Sequence, residues 1–137
     1  MANIQIKRGQ QTQVDIKFIP TGSSYSRNFY TNDARYTASL KIRRKVGTSV
    51  TDDLIDTLAS LTSGADQNTD GRIRFIDVGA SSTASNIMLR WETANSVALP
   101  NETLTMQGDL KIMDTDSNPD EVIESFRLIF DIIPEII

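Results

Sequence analysis

Apolar and polar residues alternate with a period of two along most of this chain. Ile4 and Ile6 alternate with Asn3, Gln5 and Lys7, and after a turn at Gly9, Val14, Ile16 and Phe18 alternate with Gln13, Asp15 and Lys17. Between Tyr36 and Arg44, Ala38, Leu40 and Ile42 share one side, while Ser39, Lys41 and Arg43 share the other. Ile73 and Phe75 alternate with Arg72 and Arg74, and Ile87, Leu89 and Trp91 with Met88, Arg90 and Glu92. Leu104, Met106, Gly108, Leu110 and Ile112 form one face of the next run, and Phe126, Leu128, Phe130 and Ile132 one face of the last. Successive side chains of a strand point to opposite faces, so this rhythm marks strands with one side on a core and the other in water.

Turn-forming Gly, Ser, Asn and Asp residues separate these runs, as in Pro20, Gly22, Ser23 and Ser24 or the Ser/Ala-rich loop Gly79 to Ser85. No helical crossover lies between them, so antiparallel pairing is expected. The pattern predicts an all-β, antiparallel, immunoglobulin-like β-sandwich of about seven to eight strands. One segment breaks the rhythm. Between Thr51 and Leu61 the apolar residues Leu54, Ile55, Leu58 and Leu61 recur at helical spacing, with Thr51 placed to cap and Asp52 and Asp53 in the first turn. Ile55, Thr57 and Ala59 can equally line one side of a strand. The segment is expected to be one short helix near 51–61 or a strand with irregular ends.

At 137 residues, the chain fits one domain spanning 1–137. Its apolar and charged fractions are those of a soluble globular protein. It has neither Cys nor His. That excludes disulfides, Cys-His zinc sites, histidine acid–base catalysis and Ser-His or Cys-His nucleophiles. The expectation is therefore a protein that is not an enzyme and takes no cofactor. A formal charge of −4 argues against nucleic acid as the main partner. No apolar run approaches the roughly 20 residues of a membrane-spanning helix, so no membrane partner is expected.

The sharpest motif runs from Asp66 to Asp77. Asp66, Asn68 and Asp70 occupy positions 1, 3 and 5 of a calcium-loop pattern, Gly71 the turn position and Asp77 the closing position. The pattern lacks the usual closing Glu, and Arg72 and Arg74 put positive charge beside it. The plainer reading is a turn at Asn68 to Gly71 leading into the Ile73 strand. A second acidic stretch, Asp114 to Glu121, has Pro119 where a calcium loop needs Gly, and reads as a hairpin turn. Lys41, Arg43 and Lys45 share one solvent face beside Arg44, as a solvated edge or a surface for an anionic partner. Tyr25, Arg27, Phe29 and Tyr30 are interface candidates, since aromatics with Arg are enriched at binding hot spots; they read equally well as core. So are Ile136 and Ile137 in the apolar C-terminal segment, whose other reading is a docked last strand. Trp91 falls on the apolar face of its strand and reads as core.

Several landmarks recur in order: Arg8-Gly9 with Thr12, then Val14-Asp15-Ile16-Lys17-Phe18, then Ala38 to Arg43, Asp70-Gly71-Arg72-Ile73, Ile87 to Glu92, and Gly108-Asp109-Leu110-Lys111-Ile112. This resembles the N-terminal β-sandwich domain of phage baseplate upper proteins and related small tail and fibre-attachment proteins. In that family the opening often reads Arg-Gly-Asp-Thr; here Gln10-Gln11 replaces the single Asp. The resemblance implies a virion structural protein, made in the host cytoplasm. It would be an adaptor or connector docking fibre or receptor-binding proteins to the tail or baseplate, in several symmetric copies. The alternatives are a capsid decoration protein, or a carbohydrate- or calcium-binding sandwich.

Overall fold

The computed structural model describes residues 3–30, 35–60, 72–79, 81–116 and 121–136. In chain order its elements are β1 (Ile4–Lys7), β2 (Thr12–Ile16), β3 (Tyr36–Val46), β4 (Ser49–Ala59), β5 (Ile73–Phe75), β6 (Ile87–Trp91), α1 (Thr93–Val97), β7 (Leu104–Asp114) and β8 (Glu121–Ile133). They form a five-stranded sheet, β1-β8-β7-β3-β4, packed on a three-stranded sheet, β2-β6-β5. That is the strand order of an immunoglobulin-like sandwich. Strands β2, β6 and β5 stand where B, E and D do, and β8, β7 and β3 where G, F and C do.

The inward faces are those marked by the alternation. Leu40 and Ile42 of β3, Met106, Leu110 and Ile112 of β7 and Phe130 of β8 are fully buried against Ile73, Phe75, Ile87, Leu89 and Trp91 of the smaller sheet. Each such side chain contributes roughly 1.5–3 kcal/mol on leaving water. Gly108 continues the inward face of β7. A Cβ there would lie 2.7 Å from Leu40 Cδ1 and 2.8 Å from the Lys41 carbonyl oxygen, so the glycine lets β3 and β7 close over a crowded interior.

Pairing is not antiparallel throughout. β1 runs parallel to β8, from Ile4 beside Phe130 to Lys7 beside Ile133. The cause is the turn at residues 8–11, which carries the chain from the larger sheet to β2 in the smaller one and closes no hairpin. Gly9 adopts φ +87°, open to glycine at little cost, and a Cβ there would collide with the Glu135 carboxylate. Arg8 fastens the same turn. Its Nε donates to the Leu99 carbonyl at 2.8 Å, one terminal nitrogen to the Val97 carbonyl at 2.8 Å, and the other lies 3.3 Å from Glu135. The guanidinium thus satisfies carbonyls at and just beyond the end of α1, where helix carbonyls lack partners.

Residues 51–59 lie in strand β4, not a helix. The register against β3 shifts between Ile42 and Arg43 and again between Arg43 and Lys45. The first shift adds one residue to β4 and the second two, and the single insertion at Ile55 resets the alternation. The neighbouring apolar pair Leu54 and Ile55 is produced that way, and it imitates helical spacing. The short helix lies instead at α1, where Glu92 and Asn95 form a reciprocal capping box.

Candidate functional site

The alternation that buries Ala38, Leu40 and Ile42 turns Ser39, Lys41 and Arg43 outward. Across β7, Ser39 stands opposite Lys111, Lys41 opposite Asp109 and Arg43 opposite Gln107. On the other side, β4 sets Thr57 beside Lys41, Leu54 beside Arg43 and Val50 beside Lys45. Ser39, Lys41, Arg43, Val50, Gln107, Asp109, Lys111 and the Gly108 backbone line a shallow channel of about 440 Å³.

Among the described residues the channel holds three cations and one carboxylate, in a chain of net charge −4. Asp109 leans toward Arg127, 4.0 Å away. Arg43 reaches the Asp52 carbonyl at 3.2 Å. Among the described residues, Lys41 and Lys111 enter no salt bridge. Their ammonium groups are open to an incoming anion.

Beside the channel runs β4, an eleven-residue edge strand whose far side has no strand partner among the described residues. Val46, Val50 and Leu54 are exposed along this hairpin. Arg44 holds its base, donating to Asp53 at 2.9 Å and to Glu102 at 2.8 Å. These two carboxylates push the guanidinium pKa up, Asp53 most strongly. At the opposite end of β4 the edge is partly closed. Asp56 takes both terminal nitrogens of Arg72, at 3.0 and 2.7 Å, and the indole N–H of Trp91 at 3.0 Å.

The aromatic group predicted as an interface is divided by the fold. Tyr25 is 46% exposed at the tip of the connection between β2 and β3, whereas Phe29 is fully buried and belongs to the core. The reason is a clasp at Asn86. Its side chain accepts from Phe18 N at 2.9 Å and donates to the carbonyls of Phe18 at 3.0 Å and Arg27 at 2.6 Å, drawing the connection onto the sandwich end. Tyr30 packs half-buried against the same core, and Arg27 lies over the Phe29 and Tyr36 rings at 5.4 and 5.7 Å. Trp91 is core, as its strand face indicated.

Asp66, Asn68 and Asp70 of the calcium-loop pattern lie outside the described residues. Asp77 is described, and its carboxylate accepts from Asn28 Nδ2 at 3.0 Å and Gly79 N at 3.3 Å. Among the described residues no three acidic side chains gather as a metal site would require. Ile132 is docked in the core, Ile136 is fully exposed beyond it, and Ile137 lies outside the described residues.

One ion pair at the same end as Phe29 escaped notice in the sequence. Arg35 forks onto Asp114, Nε to Oδ1 at 3.1 Å and a terminal nitrogen to Oδ2 at 2.8 Å. The bond to Arg35 chiefly holds the Asp114 carboxyl below the usual carboxylate range, helped by the Asp116 backbone N–H and against the pull of burial. A folded-state pKa below the unfolded one adds stability above the unfolded pKa, and that stability is lost as pH falls through the folded value. Between about pH 5 and about pH 2, wild-type melting temperature is expected to fall more steeply than that of Asp114→Asn. Equal slopes in paired thermal melts would show that this carboxylate carries none of the acid sensitivity.

The chain is thus an immunoglobulin-like sandwich carrying a basic channel beside an open edge strand. Comparison with family models, characterised proteins and solved structures returned no match.

Proposed function

We propose that this chain is a structural protein of a phage virion, an adaptor that docks fibre or receptor-binding proteins to the tail or baseplate. On this reading it binds other virion subunits in several symmetric copies, and it neither catalyses nor holds a cofactor. The observation that carries the reading is the open edge of β4 running beside the basic channel. Unpaired backbone, exposed apolar side chains and charge lie side by side there. Addition of a partner strand uses that combination: main-chain bonds supply affinity and flanking side chains supply selectivity. The ordered landmarks from Arg8-Gly9 to the Gly108 strand supply the virion context.

The test is mass spectrometry of purified particles made from the genome that encodes the chain, with antibody labelling in electron micrographs. The chain is expected in the particles, with label at the tail end. Particles free of it, or label confined to the capsid shell, would refute the adaptor role.

A further inference from the structure

We infer that the outer channel of the five-stranded sheet receives an acidic, extended segment of a partner protein. The inference deepens the adaptor reading and rests on it only for the partner being a protein. Lys41 and Arg43 are two residues apart on one strand, and Lys111 stands on β7 opposite Ser39, diagonal to Lys41. Two residues of strand span about 7 Å. That is also the repeat at which an extended peptide presents every second side chain on one side. A segment laid in the channel along β3 with carboxylates at alternate positions would bring them in step with Lys41 and Arg43. Val50 and Leu54, 43% and 46% exposed, border the same line and offer apolar contact. Asp109 offsets one cation, which leaves an excess of two from the three cations and one carboxylate.

The lining favours a peptide over a nucleic acid. Among the described residues no ring lines the channel, so bases find nothing there to stack on. So small an excess of charge releases few counterions. A second copy of this chain is disfavoured by its own −4 charge, except where a local acidic stretch meets the channel.

The experiment uses the full chain and a fluorescein-labelled hexapeptide of alternating glutamate and valine, followed by anisotropy at low salt. Binding is expected, with amide shifts in a nitrogen–proton correlation spectrum clustered on β3, β4 and β7. The Lys41→Glu/Lys111→Glu variant is expected to weaken it by on the order of tenfold. Lys7→Glu/Lys17→Glu, which changes net charge equally outside the channel, should change it less than about twofold. Because reversal beside Asp109 adds repulsion, Lys41→Gln/Lys111→Gln serves as a milder pair, expected to lose about threefold with an unchanged circular dichroism spectrum. Raising salt toward 1 M shortens the screening length to about 3 Å and should erase most of the binding.

Absence of binding, equal loss in both charge-reversal pairs, or equally tight binding of a single-stranded oligonucleotide would each overturn the inference. A chain found in virions that ignores the peptide would sink the channel assignment and leave the adaptor role standing. Peptide binding by a chain absent from virions would do the reverse.

Discussion

Phe29→Ala is expected to destabilise the chain by about 3–5 kcal/mol, as truncation of a buried aromatic does. For this length that is a fall in melting temperature on the order of 15 °C. Tyr25→Ala, four residues earlier in the same connection, is expected to stay within about 0.5 kcal/mol of wild type. The contrast follows from position. The Phe29 ring lies 5.4 Å from Phe75, 5.6 Å from Tyr36 edge-on and 6.1 Å from Phe18, bridging both sheets. Its loss would open a cavity at the end of the sandwich that the Asn86 clasp prevents from collapsing. Tyr25 projects from the same connection and is half exposed. Paired thermal melts decide the matter, and a Phe29→Ala variant that melts near wild type would return Phe29 to the surface.

The sandwich was legible because its strands have one wet and one dry face. In β7, every second residue from Leu104 to Ile112 is inward, and the buried positions fall on that series. The same rule kept Gly108 on the inward face, although a glycine has no hydropathy to announce its side. Legibility failed at β4, where two bulges interrupt the alternation. It failed again at β1. Pairing between Ile4 and Phe130 joins residues at opposite ends of the chain, and no local pattern encodes a parallel neighbour so distant in sequence.

The site was legible in part, for a related reason. Lys41, Arg43 and Lys45 could be put on one face from their spacing alone. That Asp109 stands across from Lys41 and Gln107 from Arg43, with Lys111 diagonal to Lys41, depends on the β3–β7 register, which spacing does not specify. The edge position of β4 is likewise a matter of topology. Phe29 stayed open between interface and core because a loop residue without alternation carries no sign of facing inward. The deciding residue, Asn86, lies 57 positions on in the sequence and acts through backbone carbonyls.

Asp56→Ala is expected to cost about 2–3 kcal/mol, the larger part from the indole N–H of Trp91 left buried without an acceptor. Trp91 is fully buried, and Asp56 Oδ2 accepts its Nε1–H at 3.0 Å. Arg72 adds less, because side-chain exposures of 24% for it and 17% for Asp56 let water screen the pair. The position explains why one carboxylate matters. Asp56 sits on β4 of the larger sheet, while Arg72, just before β5, and Trp91 on β6 belong to the smaller one. The carboxylate thus ties the sheets together beside an edge where no strand pairing among the described residues does so. Asp56→Asn keeps an oxygen for the indole and should lose only about 1 kcal/mol. In the Arg72→Ala background, Asp56→Ala should cost less than in wild type by up to about 1 kcal/mol, the coupling of a partly exposed pair. If Asp56→Ala and Asp56→Asn melt together, the indole contact carries nothing. If the two backgrounds give equal losses, the tie does not run through Arg72.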